Sequence, residues 1–176
     1  MNPSIQLRID SVIRALEDTV DPAVAGDERA AEQLQMAIAH LRVIREQVDI
    51  ATSFDRYELA CFEGLGAELM AASSGGPSVV EATRTLRTIL ASSYSAQDPA
   101  AIRDRTDRLG RAIERLVYAS YGDGDDAFQM AARTAVLNSE RERVNANRSF
   151  FAGMAWESDV PSSDLDRLLA DPTKAR

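Results

Sequence analysis

One cysteine, one histidine and a single lysine in 176 residues leave this chain without the usual materials of small-protein chemistry. Cys61 has no second cysteine to bridge to, and one cysteine with one histidine is a poor zinc or iron–sulfur ligand set. The single His40 also excludes a di-iron bundle, which needs two Glu-x-x-His pairs. Residues 1–20 lack an unbroken apolar h-region, because Asp10, Arg14 and Glu17 interrupt them. No run reaches the roughly twenty apolar residues of a spanning helix, so the expectation is a soluble cytoplasmic protein with no membrane partner. A basic surplus is missing as well. The formal charge is −8, and residues 1–76 hold 6 arginines against 13 acids. An acidic chain repels phosphate backbones, which argues against nucleic acid as a partner. The excess of arginine over lysine is read as codon bias.

Sustained two-residue alternation is missing too, and with it any case for strands. What the chain has is helical period and helix punctuation. Asn2-Pro3 opens a first helix with Ile5, Ile9, Val12, Ile13, Leu16 and Val20 on its stripe, and Asp21-Pro22 ends it. Asp27 caps a second helix with the stripe Leu34, Ile38, Leu41, Ile44 and Val48. The pattern at Thr52–Asp55 places a break near 49–53, after which a third helix runs to about Ala72 with Phe62, Leu65, Gly66 and Leu69 inward. The loop SSGGP (73–77) follows, and Ser78–Glu81 reads as a capping box for a helix with the seam Val79, Thr83, Leu86, Leu90 and Ser93. Asp98-Pro99 starts a fifth helix with Ile102, Leu109, Ile113, Leu116 and Val117 inward. Gly122–Asp125 is a turn, and a long sixth helix starts near Asp126. After Pro161, a short helix carries Leu165, Leu168 and Leu169, and 171–176 fray. The fold class is therefore all-α: one domain over 1–176, a bundle of about six amphipathic helices plus a short C-terminal helix, with 73–77 as an internal loop.

Each candidate for chemistry meets a plainer explanation. His40 lies beside an apolar stripe with no nucleophile at a helical neighbour position, which makes it a boundary histidine with a water or carbonyl partner. Counted from Asp123, the sixth and twelfth positions are Phe128 and Thr134, so the acidic turn fails the calcium-loop pattern; its acids suit a helix start. Asn147-Arg148-Ser149 matches a glycosylation acceptor, but no secretory signal accompanies it. Cys61 reads as a buried, inert thiol. Asp55 and Glu58 read as acids of a helix first turn. Arg105, Arg108 and Arg115 share a face that could clamp an anion, yet acids three and four residues away make intrahelical ion pairs the better use.

The stretch NANRSFFAGMAWE (145–157) remains. Met130, Leu137, Val144 and Phe151 fall at strict seven-residue spacing, the pattern of a helix packing lightly on its own bundle or on a second subunit. Gly153 ends the helix or permits close approach, and Met154 and Trp156 cover that end, so that the stretch closes the core, forms an oligomer contact or borders a small-ligand site. The expected function is a non-enzymatic accessory or scaffold protein that acts through helix faces as a homo-oligomer, a dimer, or with another protein. The alternative is a ligand-binding or catalytic bundle with a polar lining from Arg141, Glu142, Asn145 and Arg148, taking a small anionic ligand. Phe151 and Trp156 complete the candidate binding or interface set, and neither metal nor cofactor is called for.

Overall fold

The computed structural model describes residues 2–152 and residue 169, and over them the chain is all-α. The expected C-terminal helix (Leu169 apart), the frayed tail and the positions of Gly153, Met154 and Trp156 lie outside the described residues. Seven α-helices run α1 Ile5–Ala15, α2 Asp21–Val24, α3 Glu28–Gln47, α4 Ala51–Ala72, α5 Pro77–Ala91, α6 Pro99–Asp123 and α7 Asp126–Phe150. They fall into two compact units. Among the described residues, one holds 2–51 with 147–152, the other 52–146 with Leu169.

In the first unit, α1 starts two residues later than Pro3 suggests. Ser4 is the cap, its hydroxyl accepting from the Leu7 amide at 3.1 Å, which leaves Pro3 outside the helix. Pro22 does not stop the helix either. Leu16–Val20 form a π-helical turn in which the Asp21 amide reaches back five residues to the Leu16 carbonyl. That wider turn gives room for a proline ring and leads straight into α2, so the chain bends through Asp21-Pro22 instead of ending there. Asp27 caps α3 through the Ala30 amide at 3.1 Å, as its sequence position suggests. The core is Ile13, Leu34 and Ile38, with Ile9, Leu16, Val20, Val24 and Leu41 packed around it. Ile44 departs from the expected stripe: it is half exposed, and Val43 is buried instead. Residues 27–72 are two helices, broken at 48–50.

The second unit has the larger core, built from Leu59, Leu65 and Leu69 of α4, Val79 and Leu86 of α5, Ile102, Leu109 and Leu116 of α6, and Phe128 of α7. Asp98 caps α6 through the Ala100 amide at 2.9 Å, with Pro99 at the first position. The start of α5 is different from the expected capping box. Gly76, not Ser78, is its cap residue, and the first-turn amides of Ser78 and Val79 are taken by the Asp123 carboxylate at 2.8 and 3.1 Å. The Gly76 amide bonds the Asp123 carbonyl at 2.8 Å, the Asp125 amide bonds the Ser74 carbonyl at 3.2 Å, and Asp125 in turn caps α7 through the Phe128 amide. The SSGGP loop and the GDGD turn are thus one clasp joining three helix ends.

Hydrogen bonds to the charged form hold both carboxyls below the usual carboxylate range: Asp123 chiefly by the Ser78 amide, Asp125 chiefly by the Ser74 hydroxyl. A carboxyl with a lowered folded pKa contributes stability that is complete above its unfolded value, about 3.9, and is lost as pH falls through the folded value. Asp123→Ala should therefore melt below the unsubstituted protein at neutral pH, and the gap should close as pH is taken below about 4. A gap that stays constant from pH 7 to pH 3 would show that the carboxylate charge is not what holds the clasp.

Candidate functional site

The long helix α7 buries Phe128 near its start and, beyond it, three alanines, while several larger apolar residues face outward. Phe128, Ala132, Ala135 and Ala146 are buried, and three alanines allow a close approach to neighbouring helices. Met130 and Leu137 are each 70% exposed and Val144 is 50% exposed. The seven-residue seam is therefore not a packed seam of its own bundle. Phe151, just past the helix, is 41% exposed and meets the Phe150 ring edge-on at 5.1 Å. Between the apolar residues, Thr134 and Arg141 complete an alternating four-and-three spacing along the same outward face.

Arg141, Glu142 and Asn145 are exposed and belong to the second unit; Arg148 is half-buried and, with Phe151, belongs to the first. Trp156 lies outside the described residues. Among the cavities of the second unit are two that Arg141, Glu142, Asn145, Arg148 and Phe151 do not line. One, about 450 Å3, lies between the SSGGP loop and α5 and is lined by Ser73, Val79, Val80, Thr83, Arg84 and Arg87, among others. The other, about 330 Å3, is a groove between α4 and α7 with Glu68, Leu69, Ala72, Met130 and Thr134 in its walls.

Inward of α7, Arg143 lies over the Phe62 ring at 4.3 Å, pairs with Glu140, and approaches Glu58 at 3.7 Å. Asp55 accepts from Arg103 at 2.9 Å. Both acids are well inside α4, so the expected first-turn role is replaced by pairing with α6 and α7. The Tyr57 hydroxyl is buried, and the group it meets is the Cys61 thiol, a weak hydrogen-bond partner. Burial pushes both groups above their ordinary pKa values, which keeps the thiol protonated and a poor nucleophile. His40 is exposed, its Nδ1 bonded to the Met36 carbonyl at 2.8 Å. Among the described residues no group of three or more His, Cys, Asp or Glu is placed to hold a metal ion, and no helix is long and apolar enough to cross a membrane.

The α6 arginines do not form a clamp. Arg108 approaches Asp104 one turn away at 3.8 Å, while Arg105 turns inward and is 5% exposed. Its Nε donates to Glu63 at 2.8 Å, and its Nη atoms donate to the carbonyls of Ile89, Leu90 and Ser92 at 3.0, 3.1 and 2.8 Å. Its guanidinium lies 4.5 Å from the centre of the Tyr94 ring. Arg105 is thus the C-terminal cap of α5, supplied from α6. Nothing in the sequence separates it from Arg103 or Arg108; only the meeting of the two helices does. No protein-family profile matches this chain, and neither a curated protein nor a solved structure matches it.

Proposed function

We propose that this protein is a non-enzymatic helical scaffold that pairs with a second copy of itself through the outward face of α7. The observation that carries this reading is the exposure of Met130, Leu137 and Val144, at 70%, 70% and 50%, on one helix face at seven-residue spacing. Exposed apolar residues scattered singly are ordinary on any protein. A row of them at heptad spacing is what a helix presents to another helix. The groove beside Met130, about 330 Å3, offers a recess for an incoming side chain.

Charge favours an antiparallel pairing. A parallel one sets Arg141 against its own copy, which is repulsive. Setting Met130 against Leu137 of the second copy in antiparallel register brings Asp126 opposite Arg141 on both sides of the twofold axis. The protein should therefore sediment as two chains at micromolar concentration, and Met130→Glu with Leu137→Glu should sediment as one. Both positions are exposed in the single chain, so the double variant should keep its helical circular dichroism, with a stability change of about 0.5 kcal/mol or less per site. Asp126→Arg and Arg141→Asp should each weaken the dimer and together restore it. A single-chain mass for the unsubstituted protein at high micromolar concentration would sink the reading.

A further inference from the structure

The helix pair α1/α3 is closed along one edge and open along the other. On the closed edge, Gln6 donates to Asp49 at 2.7 Å, Arg45 to Asp10 at 3.0 Å, and Arg42 to Glu17 in the turn after α1. Residues 6, 10 and 17 follow one line along their helix, and residues 42, 45 and 49 follow one line along theirs. The same spacing puts Ile5 and Val12 on the opposite edge of α1, and Ile44 on the matching edge of α3. All three are exposed, at 59%, 49% and 50%. The Asp10–Arg45 contact sets the register, which brings Val12 level with Ile44. These are therefore not scattered residues. They widen the apolar stripe around Ile13, Leu34 and Ile38 on one side alone, as helices do where a further helix packs beside them.

Charge decides what fits there. Residues 1–51 hold nine acids and five arginines, yet by this spacing no acid falls on the open edge of either helix. Arg8, between Ile5 and Val12 on α1, and His40, one turn before Ile44 on α3, are both exposed. Arg8 has no ion-pair partner among the described residues. A second copy would present the same acid-free edge and set cation against cation, which disfavours self-pairing here. A helix with an acidic border beside its apolar stripe instead meets apolar with apolar, and Arg8 with a carboxylate. About sixteen residues of helix, roughly 24 Å, would cover the edge from Ile5 through the π-helical turn.

We infer that this edge is a docking groove for one amphipathic helix of a partner protein, apolar on the face it buries and acidic along its border. The residues involved all belong to α1 and α3, so the inference does not rest on self-association through α7.

Fluorescence anisotropy on the full chain with two synthetic labelled peptides tests this. Both carry leucine at heptad a and d positions; one has glutamate at the flanking positions, the other lysine. At about 0.15 M salt, which screens the long-range field of the chain, the glutamate peptide should bind saturably and the lysine peptide about fivefold more weakly. Val12→Gln with Ile44→Gln should weaken the glutamate peptide about tenfold, through lost apolar burial. Both positions are exposed, so the helical circular dichroism should not change. Arg8→Glu touches no apolar contact and should reverse the order of the two peptides. Binding of neither peptide would overturn the proposal, as would equal binding of both or affinities that ignore all three substitutions. Two other occupants would also overturn it. If Met130→Glu with Leu137→Glu still sediments as two chains, and adding Val12→Gln and Ile44→Gln separates them, a second copy fills the groove. If the glutamate peptide binds only after residues 153–176 are deleted, the chain's own C-terminal segment fills it.

Discussion

Arg105→Met should lower the unfolding free energy by about 3–5 kcal/mol, the range for removing one partner from a buried charged network. For a chain of this length that is a fall in melting temperature of roughly 10 °C. Most of the loss comes from the carbonyls at the end of α5. The Leu90 and Ser92 carbonyls each lose a donor they cannot replace where the guanidinium was, whereas the Ile89 carbonyl keeps the Ser92 amide and hydroxyl; an unsatisfied buried polar group costs about 1–3 kcal/mol. Glu63, whose side chain is 35% exposed, can turn to water and contributes less. Arg105→Lys is the informative control. It keeps the charge but has one compact donor group where the native residue spans Glu63 and three carbonyls, so it should recover under half of the loss. Chemical denaturation of the three proteins checks this. Equal stability of Arg105→Lys and the unsubstituted chain would mean that charge, not the reach of the fork, is what matters.

Gly75→Ala should cost about 3 kcal/mol, from strain and lost clasp bonds together. Gly75 has φ +148°, a region that side-chain-bearing residues seldom adopt. A Cβ there would also stand 2.5 Å from the Asp123 carbonyl oxygen and 2.7 Å from the Gly124 Cα, both backbone atoms that cannot rotate away. Relieving that contact means parting the Gly75–Gly124 bridge and the Gly76–Asp123 hydrogen bond, which loosens the starts of α5 and α7 at once. Gly122, a few residues away in α6, has nothing within 4 Å of an added Cβ. Gly122→Ala should stabilise by about 0.5–1 kcal/mol through helix propensity alone. Thermal melts of the two variants should therefore move in opposite directions. A neutral Gly75→Ala would show that the two loops are not held as closely as described.

Much of the fold is legible in the sequence where its determinants are local. Asp27 and Asp98 cap their own helices from the residue just before them, and the loops at 73–76 and 124–125 stand where glycines punctuate the chain. Local logic misleads where a distant residue does the same task. Ser78 looks like the cap of α5, but Asp123 supplies it from 45 positions away. Pro22 looks like a stop, yet a π-helical turn in the preceding residues absorbs it. The face of α7 is read only in part. Met130, Leu137 and Val144 suggest a helix packed on its own bundle or on a second subunit; within the bundle, close helix packing takes Phe128 and the alanines at 132, 135 and 146 instead. For the sites, Ile5, Val12 and Ile44 are legible as apolar positions of their helices. Their exposure is not, since that depends on which edge of the α1/α3 pair the polar contacts close. Arg105 is one of five arginines in α6, and no neighbour in sequence marks it as the one that goes inside.

Because both ends of α5 are sealed by α6, the two helices cannot mature in the order in which they are synthesised. When α5 leaves the ribosome, its first-turn amides and last carbonyls have only water as partners. The cap at its far end, Arg105, follows 13 to 16 residues behind the carbonyls it binds. The cap at its near end, Asp123, follows 44 and 45 residues behind the amides it accepts from. A helix of fifteen residues is marginal by itself. Nascent α5 therefore gains its final stability in two steps, C-terminal end first, and the second step waits until the whole of α6 has emerged. A chain arrested before residue 123 should leave the start of α5 open to proteolysis while its end is already protected, a polarity that the finished protein no longer displays.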